Sequence, residues 1–236
     1  MTRIWRASLR PLLLLAPLAC LAQSSAPKLT GFPFGDESLS FRVAGPSGVS
    51  LGSGRMSARR VEGGQWEFQL TLDVSVPGLP VKDSYRSLAT SNLCSVEFER
   101  DSAHGPRKSL ESVRFDPEKN KATRTTRNGG SSEFNVAPCA RDALAYLYFA
   151  RFEMGQGRVP PSSNVVFGGP YDVRPVYTGE QPVKGAAADR LAVNVRGPAS
   201  NLDFDILLAR DAARTPVSMS LRTPLALGTL SMELTR

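Results

Sequence analysis

The chain has 236 residues, with 29 Lys and Arg against 22 Asp and Glu, one His, three Cys and 41% hydrophobic residues. This is globular composition: it excludes a disordered or collagen-like chain, and no apolar run beyond the N-terminus reaches the ~18 residues of a membrane-spanning helix. A single His leaves little material for most metal centres or general-base chemistry.

Met1 to Arg10 carries three Arg, Leu12 to Ala19 is apolar but short, and Cys20-Leu21-Ala22 ends in small residues. That anatomy predicts a signal peptide over residues 1–22, followed by a polar linker over 23–32. The alternative is a lipid anchor through Cys20, against which Pro17 stands where lipoprotein signals normally carry Leu. Cleavage removes Arg3, Arg6 and Arg10, so 26 bases face 22 acids and the net charge of +7 falls to +4. It also leaves Cys94 and Cys139 as the remaining thiols in an exported, periplasmic chain. An even pair in an oxidising compartment predicts a disulfide; two separate buried thiols are the alternative.

The body of the chain is a series of period-2 segments. In Trp66 to Val76 every even position is apolar and every odd one polar, the pattern of a half-buried strand. Further strands are expected at Leu39 to Val43, Val49 to Val61, Asp83 to Ala89, Cys94 to Arg100, Leu110 to Phe115 and Ala122 to Arg127. The C-terminal part adds Tyr171 to Thr178, Leu191 to Arg196, Leu202 to Ala209, Val217 to Arg222 and Thr229 to Leu234. Turn sequences such as Glu62-Gly63-Gly64 and Asn128-Gly129-Gly130 separate them at spacings that predict an antiparallel sheet.

One segment differs. Ala140 to Phe152 has helical composition, with Pro138 at a first-turn position and Arg151 in the expected last turn, and it is apolar nearly all round. At 1.5 Å per residue such a helix is only about 20 Å long and cannot cover strands of roughly 36 Å. The expected fold is therefore mainly β: a strongly curved antiparallel sheet, half-barrel or barrel-like, with one buried helix, in a single domain over 33–236. Trp66, Phe68, Leu70 and Leu72 of the long strand, with Leu144, Leu147 and Tyr148 of the helix, are the candidate lining of its concave face.

Catalytic motifs are weak. Gly48-Val49-Ser50-Leu51-Gly52 spells a nucleophile elbow, but no helical stripe follows it. His104, between Ala103 and Gly105-Pro106, reads as an exposed loop tip. Asp203 and Asp205 flank Phe204 on a strand and face away from it. No catalytic residue, metal ligand or cofactor is expected. Between Arg107 and Arg127 lie Arg107, Lys108, Arg114, Lys119, Lys121, Arg124 and Arg127, with Glu111, Asp116 and Glu118 the acids there. Arg107, Lys108, Lys119, Lys121, Arg124 and Arg127 form a candidate basic surface, either for anionic lipid or an acidic partner or as a solvated hairpin guarding an edge strand. Without interleaved aromatics it does not suit nucleic acid. An outer-membrane barrel fits the leader and strands but not the charges, the few aromatics or the apolar helix.

Asp142-Ala143-Leu144-Ala145-Tyr146-Leu147-Tyr148-Phe149-Ala150-Arg151 resembles the helix of the bacterial exported domain-of-unknown-function family 3108. Pro33 to Phe41, Ala209 to Val217 and Pro224 to Leu230 are similar to its opening strand and its end, whereas Val183 to Ala188 is a loose version of its turn. The resemblance implies an exported, sheet-rich envelope protein and supplies no activity or catalytic residue. The function expected is non-enzymatic binding of a hydrophobic or lipid-like ligand in the concave face. The alternative is a structural or protein-interaction module with a filled core, and a hydrolase comes third.

Overall fold

The computed structural model describes residues 35–76, 78–197, 200–222 and 228–235. The leader, Cys20, the linker, Pro33-Phe34 and Pro224 to Leu227 lie outside the described residues. Eight strands come first: β1 Glu37–Ala44, β2 Ser50–Arg60, β3 Trp66–Val76, β4 Leu79–Ala89, β5 Ser95–His104, β6 Arg107–Asp116, β7 Lys121–Thr126 and β8 Ser131–Asn135. Then follow β9 Arg141–Asp142, the helix α1 Ala143–Gly155 and β10 Ser163–Val166. Five more strands complete the chain: β11 Pro170–Val183, β12 Ala186–Arg196, β13 Asn201–Ala209, β14 Pro216–Arg222 and β15 Thr229–Leu234.

All fifteen strands form one sheet in the order β8-β7-β6-β5-β4-β3-β2-β1-β15-β14-β13-β12-β11-β10-β9. Sequential hairpins explain most of it, because short turns join antiparallel neighbours. The exceptions are the β1–β15 pair, which joins the two halves through Phe41 opposite Leu234, and the parallel β9–β10 pair, whose crossover is α1 itself. β8 and β9 are the two edges and do not pair with each other. Yet β9 lies against β5, the fourth strand from the opposite edge: Ser95 N–H donates to the Ala140 carbonyl at 2.9 Å.

The strands of the sequence reading are present, several of them longer: β4 begins at Leu79 and β5 runs to His104. β8, β9 and β10 were not expected; they have five, two and four residues, too short to show a period. β10 lies between the expected helix and the strand expected from Tyr171. The helix starts later than expected, at Ala143, because the Asp142 carboxylate caps it, accepting from the Leu144 and Ala145 N–H groups. The helix also runs on to Gly155, so Arg151 is not in its last turn.

The hydrophobic interior surrounds α1. One cluster joins Phe41, Met56, Ala58, Trp66 and Phe68 of β1–β3 to Leu144, Ala145 and Tyr148. A second joins Tyr146 and Met154 to Val173, Leu191, Val193 and Leu208 of β11–β13. The helix is thus buried on two sides, as its apolar circumference requires. A third cluster, Phe98, Val113, Ala122 and Val166, lies over β5–β7.

Candidate functional site

Side chains directly opposite one another across antiparallel strands share a face, so the registers trace the face on which α1 packs. One row runs Ala58, Phe68, Ser87, Phe98, Val113, Arg124; the next runs Leu39, Met56, Leu70, Tyr85, Arg100, Glu111. A third runs Leu234, Phe41, Gly54, Leu72, Asp83, Ser102, and a fourth Val43, Gly52, Val74, Val81, His104, Arg107. The face is apolar on β1–β3 and turns polar across β4 and β5.

At the α1 end the expected lining comes together, and the helix itself fills the space. Trp66, Phe68, Leu144 and Tyr148 are buried, with the Phe68 and Tyr148 rings stacked 4.0 Å apart, and Leu70 and Leu147 pack against the same cluster. Asp142 anchors the helix start: its Oδ2 accepts from the Ser87 and Ser95 hydroxyls at 2.6 and 2.5 Å. Burial pushes this carboxyl above its ordinary range, against the pull of the Ser87, Ser95, Ala145 and Leu144 donors. Arg151 anchors the helix body. Its guanidinium grips both Glu37 oxygens, the Tyr148 hydroxyl donates to Glu37 Oε1 at 2.9 Å, and Arg151 Nε reaches the Ala213 and Arg214 carbonyls. Burial raises the Tyr148 phenol well above its ordinary value, and the neighbouring Glu37 charge adds to this.

Leu72 lies farther out, half-buried. Its Cδ2 and Met232 Cε sit 3.0 and 2.8 Å from the point where a β-carbon on Gly54 would lie, so a side chain at Gly54 would displace them. Val74, Val81, Leu221 and Leu230 are half-buried too, and like Leu72 they belong to none of the three clusters around α1.

Beside this apolar stretch stands a polar group that the sequence reading did not find. Asp83 Oδ1 is 2.9 Å from His104 Nε2, its Oδ2 accepts from the Tyr85 hydroxyl at 3.1 Å, and Arg100 Nε donates to the Ser102 hydroxyl at 3.1 Å. His104 is thus not a loop-tip residue: it ends β5 and leans on a carboxylate that is only 10% exposed. Phe167, from the turn before β11, packs on Tyr85 and Phe98 and lies beneath the Arg100 guanidinium. Burial raises the Tyr85 phenol above its ordinary value, and Asp83 reinforces this, so it serves as a hydrogen-bond donor and not as a nucleophile. Alternation could not reveal this cluster, because β4 carries polar residues on both faces. Ser50 begins β2 as an exposed residue.

The candidate basic surface divides. Lys119 pairs with Asp116, Lys121 with Glu133, Arg124 with the buried Glu111, and Arg114 with Glu97. Arg107, Lys108 and Arg127 are exposed and in no ion pair among the described residues. The disulfide joins Cys94 to Cys139, with Cα atoms 4.6 Å apart. Asp203 and Asp205 bond Asn194 and Arg190. Among the described residues no group of three His, Cys, Asp or Glu is placed to hold a metal ion, and no helix is long and apolar enough to cross a membrane.

A large, almost wholly antiparallel sheet with one helix defines the molecule as a mainly β protein. A crystal structure of a beta-barrel-like protein of domain of unknown function DUF1849 from Brucella abortus has the same fold, with TM-score 0.60 over 86% of this chain and 97% of that one, at 6% identity. The model of the family described as "Protein of unknown function (DUF3108)" matches residues 38–235, and the chain belongs to that family. Among curated proteins no relative matches it.

Proposed function

We propose that this is an exported, non-enzymatic protein of the cell envelope that binds a hydrophobic or lipid-like ligand on the α1 face of its sheet, beyond the reach of the helix. The observation that carries this reading is the set Leu72, Val74, Val81, Leu221 and Leu230: apolar, half-buried and outside the clusters that α1 completes. Solvent contact along such a face costs about 25 cal/mol per Å², which an apolar ligand recovers. Contact of β9 with β5 supports a sheet curled so that this face is concave. The neighbouring Asp83, Tyr85, Arg100 and Ser102 give the ligand's polar end partners. Residues 1–22 and the Cys94–Cys139 disulfide support export.

Native mass spectrometry of the gently extracted protein should show an adduct of lipid mass, and a fluorescent fatty acid should bind and be lost in Val74→Asp. Protein that is consistently ligand-free and does not bind the probe overturns the reading. That outcome would favour the structural or protein-interaction module, for which the fully packed Trp66-Phe68-Tyr148 stack is the supporting observation.

A further inference from the structure

In the first half of the sheet, the rim farthest from α1 is formed by the turns after β1, β3, β5 and β7, and three of the six exposed large hydrophobic residues among the described ones lie on it. Val49, in the first turn, is 61% exposed; Leu79, after the second, 39%; and Leu110, three residues into β6, 40%. Val49, Leu51, Gly78, Leu79 and Pro80 line one depression of ≈ 530 Å³. The line continues directly into the next turn: Gly105 N–H donates to the Pro80 carbonyl at 2.9 Å, and Leu79 Cδ1 lies 2.8 Å from the position of a β-carbon on Gly105. Arg107 and Lys108 follow, and Arg127 sits beside Leu110, its N–H bonded to the Leu110 carbonyl.

Charge on this rim is uncompensated. Arg107, Lys108 and Arg127 form no ion pair among the described residues, and the one exposed acid nearby, Asp101 opposite Leu110, forms none either, so the bases outnumber the acid three to one. Other polar groups there are already matched, Lys82 with Asp73 at 3.2 Å and Asp83 by hydrogen bonding with His104. The opposite end of the same β6–β8 hairpins is the contrast: Lys119 and Lys121 are each held by a carboxylate.

We propose that this rim docks on an anionic lipid bilayer, with Val49 and Leu79 entering the headgroup layer and Arg107, Lys108 and Arg127 lying on its phosphates. Exposed apolar side chains in turns with flanking cations match that interface, where the anionic surface attracts the bases and shallow burial of the apolar side chains adds to binding. An acidic protein would satisfy the bases but leave Val49 without an apolar partner. The docking surface goes beyond the ligand reading and does not depend on it.

Co-sedimentation of the full chain with phosphatidylglycerol-containing vesicles, compared with pure phosphatidylcholine, tests it, with every variant on the same background so that any contribution of residues 1–22 is common to all. Binding should require the anionic lipid and weaken with salt. It should fall roughly tenfold or more in Arg107→Glu/Lys108→Glu and also fall in Val49→Ser/Leu79→Ser, whose exposed positions should leave the melting temperature unchanged. Lys119→Glu/Lys121→Glu, an equal charge change at the paired end, should bind like the parent. Absence of binding to anionic vesicles, equal loss in the two charge reversals, or full binding by Val49→Ser/Leu79→Ser would each overturn the proposal, as would retention on an acidic protein without vesicle binding. Fluorescent fatty-acid binding that persists in Lys108→Glu/Arg127→Glu, neither of which lies on the rows of the α1 face, while vesicle binding falls, separates this result from the ligand reading.

Discussion

Arg151 shows how much of this fold hangs on single polar contacts. A guanidinium with no solvent exposure is tolerable only when its charge and donors are met, and here Glu37 takes two of them, two backbone carbonyls share Nε, and the Tyr148 ring lies 4.8 Å below. Those partners come from β1, α1 and the turn between β13 and β14, so one side chain ties both halves of the sheet to the helix. Arg151→Ala leaves Glu37 beside a buried phenol with no counter-charge and should cost about 3–5 kcal/mol in urea unfolding, whereas Glu37→Gln/Arg151→Met should lose distinctly less. If the double variant is no better than Arg151→Ala, the charge pairing is not what holds this junction. Nothing in the local sequence shows it: Glu37 and Arg151 are 114 residues apart, and the helix pattern marks Arg151 only as a cation in an expected last turn.

At the level of elements, β9 has two residues and cannot hold its place through ladder bonds alone. It is fixed on one side by Asp142, bonded to Ser87 and Ser95, and on the other by the disulfide between Cys94 and Cys139. The bond closes a loop with a sequence separation of 45, so Cys94→Ser/Cys139→Ser should lose about 4 kcal/mol in guanidinium unfolding, and cleavage by added protease should concentrate between β7 and β9. Unchanged stability would show that Asp142 suffices. The long strands, the one helix and the cysteine pairing were legible because each leaves a local trace: a two-residue period, an all-round apolar run, an even thiol count. β8 to β10 leave none, being shorter than the pattern that would reveal them, and the helix start was misplaced because Pro138 resembles a first-turn residue while Asp142, four residues on, makes the cap. Of the apolar candidate site only Leu72 was among the lining read from the sequence; the other six residues of that lining pack together in the α1 cluster. The polar part was not legible, since Asp83 and His104 meet across strands, 21 residues apart, on a face expected to be apolar.

Across the whole molecule, charge is arranged so that acid unfolds it in an identifiable way. Burial raises the Glu67 carboxyl, but the Arg86 and Arg59 guanidiniums outweigh this and hold it below its ordinary 4.5; at Asp189 burial is likewise outweighed by Arg210, Tyr177 and Arg214, leaving it below 3.8. A carboxylate with a depressed folded value stabilises the protein above its unfolded value, and that contribution is lost as pH falls through the folded one. Glu67→Gln should therefore melt about 2–4 °C lower near pH 7, on the order of 1 kcal/mol, with the gap closing as pH falls below the ordinary 4.5 and the parent's own Glu67 protonates. Asp142 has the opposite sign: burial sets its folded value above 3.8, so its ionised form opposes folding at neutral pH and its contribution improves on acidification. The stability gap between the parent and Asp142→Asn should accordingly move in the parent's favour as pH falls, while the Glu67→Gln gap closes. Calorimetric melts at several pH values decide the matter, and gaps that move together would show that the surface network and the helix cap do not titrate as their surroundings require.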